Sequence, residues 1–64
     1  MYKDYAKIRN QQGLSDYLVS KETGVATATL TAWKNGSYTP KIEKLIKIAK
    51  FLDTNVEDLI PEKF

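Results

Sequence analysis

The sequence predicts an all-α domain of five short helices, and three observations carry that reading. Apolar residues recur three and four positions apart along most of the chain. Gly13, Gly24, Asn35-Gly36 and Pro61 stand where such stretches end, as helix stops do. Ser15 and Asn55 stand just ahead of two of them, as N-caps do. Sixty-four residues make one domain, taken as 1–64. A domain of this size buries only about 60% of the surface its unfolded chain exposes, so a small stability is expected.

Composition excludes several kinds of chemistry. There is no cysteine and no histidine, which removes disulfides, thiolate metal sites, the commonest metal ligand and the commonest general base together. The carboxylates of Asp53, Glu57 and Asp58 are accounted for by helix capping, and nothing pairs with them as nucleophile or base. No enzyme, metal, cofactor or small-molecule ligand is therefore expected. No apolar run approaches the roughly 20 residues that cross a bilayer, and the start lacks the apolar segment of a signal peptide. The expectation is a soluble, cytoplasmic protein without a membrane partner. A net charge of +2 is too small for a nucleic-acid binder held by charge alone, though it leaves room for local basic sites. There is no internal repeat and no low-complexity segment.

The first helix is predicted over residues 2–12. Tyr2, Tyr5, Ile8 and Arg9 share a side, with Lys3, Lys7 and Asn10 around it. Gly13 ends it and Leu14 drops into the core. Ser15 caps the second helix, whose first-turn Asp16 suits the positive end of the helix dipole. Leu14, Leu18 and Val19 form its buried stripe, Tyr17, Lys21 and Glu22 face outward, and Ser20 is small where a neighbouring helix presses close. Thr23-Gly24-Val25 closes it, with Gly24 free to take a left-handed backbone conformation.

The third helix is predicted over 27–34. Leu30 and Trp33 face the core and Val25 anchors its start. Thr27, Ala28, Thr31 and Ala32 remain outside, a surface of small side chains with two hydroxyls and no charge until Lys34. Exposed faces made for solubility carry Lys and Glu instead. Two short helices joined by a glycine-containing turn read as a helix-turn-helix, here over about 15–35. A smooth third helix can sit deep in a DNA major groove, where threonine bonds base edges or phosphates and methyls pack on thymine. A plain helical hairpin, or a protein-binding face, also suits small uncharged residues.

Asn35 to Pro40 reads as a loop, its amide and hydroxyl groups able to meet a phosphate but also ordinary for a surface loop. Residues 41–52 form an amphipathic helix with Ile42, Leu45, Ile46, Ile48, Ala49 and Leu52 expected inside. Lys41, Lys44, Lys47 and Lys50 wrap around it, and only Lys41, beside the loop, is well placed for phosphate. Asn55 caps a last helix over 56–60 with Glu57 and Asp58 in its first turn. Ile60 and Phe64 are candidates for a dimer contact, or for folding back onto the core.

Taken in order, Ile8-Arg9, Gly13-Leu14-Ser15, the run 19–25, Leu30, Trp33, Asn35-Gly36, Pro40, Leu45, Ile48-Ala49, Leu52 and 56–59 resemble the Cro/CI-type helix-turn-helix family of phage and bacterial regulators, also called the XRE family. The resemblance covers nearly the whole chain. It implies a compact, five-helix, lambda-repressor-like DNA-binding domain that binds double-stranded DNA as a homodimer on an inverted repeat and acts as a repressor. By position it assigns base reading to Thr27, Ala28, Thr31 and Ala32. It assigns phosphate contacts to Asp16 and Tyr17, to Asn35, Ser37 and Tyr38, and to Lys41.

Three residues depart from the family pattern. Asp16 replaces a usual glutamine, and a carboxylate repels a phosphate. Lys34 stands where the family often has an acid paired with the arginine matching Arg9, so these two cations are expected to repel or to turn toward phosphate. Ala26 stands where a capping residue is usual, and alanine cannot cap. These departures imply weaker phosphate affinity or a shifted docking, while the low net charge, Asp16 and the small-residue face permit an alternative, a protein-interaction module on the same fold with little or no DNA binding.

Overall fold

A computed structural model describes residues 2–60. Five helices follow one another: α1 (Tyr2–Gln11), α2 (Asp16–Thr23), α3 (Thr27–Lys34), α4 (Ile42–Phe51) and α5 (Val56–Leu59). No strand occurs among the described residues, so the all-α expectation and all five helices hold. The core is Tyr5, Val19, Val25, Leu30, Trp33, Leu45, Ile48, Ala49, Leu52 and Leu59, at least one residue from every helix. Helix α2 packs on α3 and α4, α1 packs on α3 and α5, and α5 also meets α4.

The helix ends follow the predicted chemistry. The Leu18 amide donates to the Ser15 side chain at 3.2 Å, so Ser15 caps α2. Asn55 and Asp58 form a reciprocal capping box at the start of α5, and the Thr54 hydroxyl donates to Asp58 at 2.7 Å. Ala26 makes no side-chain cap, as expected. Helices α1, α3 and α4 end by one device. The residue after the C-cap turns left-handed, and paired amides reach back to the last carbonyls. Gly13 (φ +68) and Gly36 (φ +78) serve α1 and α3; Asp53 (φ +55) serves α4, bonding with Thr54 to Lys50 and Ala49. An aspartate there is strained where glycine is not. The Gln12 side chain donates to the Leu52 carbonyl at 2.7 Å and ties the ends of α1 and α4 together.

Helix α4 differs from the expectation on one flank. Leu45, Ile48, Ala49 and Leu52 are buried, but Ile42 is 53% and Ile46 40% exposed. At about 100° per residue these two lie roughly 70° and 110° to one side of the centre of the buried stripe, on a flank left exposed. Phe51, on the opposite flank, packs against the core instead. Ile60 is half-buried and also packs on the core. Phe64, its partner in the dimer expectation, lies outside the described residues.

Candidate nucleic-acid interface

The turn between α2 and α3 is held by Thr23 and Gly24. The Thr23 hydroxyl donates to the Val19 carbonyl at 2.7 Å and accepts from the Val25 amide at 3.2 Å. Gly24 takes φ +79, and its amide bonds the Ser20 carbonyl at 2.9 Å. A Cβ at Gly24 would have no other residue's atom within 4 Å beyond its chain neighbours, so its requirement is one of backbone conformation and not of space. Val25 then enters the core and α3 begins.

Helix α3 presents the predicted face. Leu30 and Trp33 point inward, Thr27, Ala28 and Thr31 are exposed, and Ala32 is half-buried at the edge. The Thr27 and Thr31 hydroxyls make no hydrogen bond among the described residues, so both are available to a ligand. Lys34 is the helix's one charged residue. Eight residues at about 1.5 Å each make α3 roughly 12 Å long, comparable with the width of a B-DNA major groove.

Around this face the phosphate candidates divide. Tyr17 is 70% exposed on the first turn of α2, and Tyr38 is 39% exposed in the loop after α3. Asn35 is exposed at the C-cap of α3, and Lys41 is exposed at the N-cap of α4. Ser37 is engaged differently: its hydroxyl and its amide both donate to the Ala32 carbonyl, at 3.2 and 3.0 Å. Its hydroxyl proton holds the loop against α3.

Asp16 is engaged inside the protein. Its carboxylate accepts from the Tyr2 hydroxyl at 2.8 Å, from the Tyr5 hydroxyl at 2.6 Å and from the Arg9 guanidinium at 2.5 Å. Arg9 donates further to the Tyr2 hydroxyl and to Asn10, both at 2.9 Å. Burial pushes the Asp16 carboxyl up, but the bonds from Tyr5, Tyr2 and Arg9 outweigh it and hold the group below its usual range. Burial and the neighbouring carboxylate raise the hydroxyls of Tyr2 and Tyr5. The charge that was expected to repel a phosphate is thus matched inside the protein, and Asp16 clips α1 to the start of α2. The expected conflict between Arg9 and Lys34 is resolved by the same contact, because Arg9 finds its acid on α2 and Lys34 stays exposed.

Behind the reading face, Trp33 stacks on Tyr5 with centroids 5.1 Å apart and meets Tyr2 edge-on at 5.5 Å. The Arg9 guanidinium lies over the Tyr5 ring at 5.6 Å. One helix, α1, therefore braces both α2 and α3 from behind. Sequence reasoning missed the polar partners of this brace. The signal was present: Tyr2, Tyr5 and Arg9 lie three and four residues apart on one face of α1, and an acid follows the Gly13 reversal.

A family model described as helix-turn-helix matches residues 6–59. No curated protein and no solved structure matches the chain.

Proposed function

The chain belongs to the Cro/CI-type helix-turn-helix family of DNA-binding domains, and from that membership we propose that it is a sequence-specific transcriptional regulator, a repressor, that reads double-stranded DNA with α3. The observation that carries this reading is the outer face of α3, where two unengaged hydroxyls and two methyl side chains stand free of charge in front of a rigid aromatic brace. In this role Thr27, Ala28, Thr31 and Ala32 meet base edges. Tyr17, Asn35, Tyr38 and Lys41 meet phosphates, and Asp16 acts by positioning α2. Cytoplasmic action follows from such a role.

The protein would act as a homodimer, placing two α3 helices in successive major grooves about 34 Å apart on an inverted repeat. The C-terminal region around Ile60 and Phe64 is the proposed contact. A second reading, a protein-interaction module, draws on the exposed Ile42 and Ile46 together with the uncharged α3 face.

Selection from a random duplex pool at moderate salt, with sequencing of the bound fraction, separates the two. An enriched inverted repeat with half-sites about one helical turn apart is expected. A folded protein that enriches no duplex refutes the DNA reading and favours a protein partner.

A further inference from the structure

We propose that the protein recognises its half-site chiefly through thymine methyl groups, with Ala28, Thr31 and Ala32 as the contacting side chains. This rests on the DNA reading above and adds which base edge α3 takes. Hydrogen-bond readout of single bases uses side chains with two well-placed polar groups: Arg or Lys for guanine, Asn or Gln for adenine, and a carboxylate for cytosine. Residues 27–32 of α3 contain none of these. Lys34 and Asn35, which could serve, stand at the far end of the helix, beside the loop.

A threonine hydroxyl bonds several different base edges and separates them poorly. What the face does offer is apolar: the β-methyls of Ala28 and Ala32 and the γ-methyl of Thr31. Thr31 and Ala32 lie three and four residues after Ala28, so each side chain is about 5–6 Å from that of Ala28. That span covers two adjacent base pairs, which are about 3.4 Å apart along the helix axis. Thymine alone among the four bases carries a methyl group in the major groove. The available chemistry therefore selects short runs containing thymine and leaves guanine unread by α3.

The test uses the duplex enriched from the random pool. Each half-site thymine is exchanged for deoxyuridine, which removes the C5 methyl and keeps every hydrogen-bonding group. An affinity loss of about fourfold per contacted methyl is expected, equivalent to about 0.8 kcal/mol for one buried methyl. Exchange of half-site guanines for 7-deazaguanine, which removes an acceptor, should change affinity less than twofold. In Thr31→Ser, which keeps the hydroxyl and loses the methyl, one thymine position should become indifferent to the exchange, whereas Thr31→Val should keep its preference. Thr31 is exposed, so both variants should fold. An enriched duplex that tolerates deoxyuridine throughout overturns the methyl reading alone. The absence of any enriched duplex overturns it together with the DNA reading.

Discussion

Replacing Asp16 by alanine removes the clip between α1 and α2, and its cost can be worked from the geometry. Three hydrogen bonds to the carboxylate are lost, at 2.8, 2.6 and 2.5 Å. Bonds to a charged group contribute about 1.5–3 kcal/mol each when well buried. Here the side chains of Arg9 and Asp16 are 15% and 29% exposed, so water replaces part of what is lost. The Arg9 Nε, already buried without a partner, gains nothing from the change. A net destabilisation of about 3 kcal/mol follows, which for a domain of this length lowers Tm by about 15 °C. Circular dichroism melts at neutral pH measure it directly.

The pH dependence supplies a second reading of the same group. The folded-state pKa of Asp16 is depressed, so its contribution is present above the unfolded value near 4 and is lost as pH falls through the lower folded value. The gap between wild type and Asp16→Ala should therefore narrow below about pH 4. A double-mutant cycle with Arg9→Met should give a coupling above about 1 kcal/mol. A variant within about 0.5 kcal/mol of wild type at neutral pH, with no coupling to Arg9, would show that the network contributes nothing to folding.

Four further outcomes are expected. Asp53→Gly relieves a left-handed aspartate and should stabilise by about 0.5–1 kcal/mol, read as a higher urea midpoint; an unchanged midpoint would mean that position 53 stores no strain. Ala26→Ser restores the missing cap of α3 and should add about 1 kcal/mol by the same measurement. Thr31→Glu should abolish specific DNA binding while leaving the melt unchanged, and retained affinity in the folded variant would remove α3 from the groove. Lys41→Ala should weaken binding to all sequences alike and lower the salt slope by about one, whereas a loss confined to one sequence would contradict a phosphate role.

Much of the fold was legible because caps and stops are local chemistry. Ser15, Gly24 and Asn35-Gly36 set the bounds of α2 and α3 with no knowledge of the rest of the chain, and Leu30 and Trp33 identified the inner face. Ile42 and Ile46 were misread because apolarity alone does not say how wide a stripe the neighbouring helices can cover. The outer face of α3 was legible for the same local reason as its inner one. The roles of Asp16 and Ser37 were not, because each depends on partners brought close only by folding: Tyr2, Tyr5 and Arg9 for one, the Ala32 carbonyl for the other. Asp53 was missed since a left-handed turn announces itself in sequence mainly through glycine.

The Arg9–Asp16 contact limits how this domain could exchange parts with others of its family. Where a relative carries an acid at the position of Lys34, its arginine answers to the recognition helix; here it answers to α2. Acids at both places would compete for one guanidinium, and acids at neither would leave it stranded half-buried. A transplanted α3 that brings its own acid would arrive in a frame already wired for another, and the graft would have to change position 16 as well. Redesign of specificity is safest when confined to Thr27, Ala28, Thr31 and Ala32. The exchangeable unit is that outer face, and not the helix.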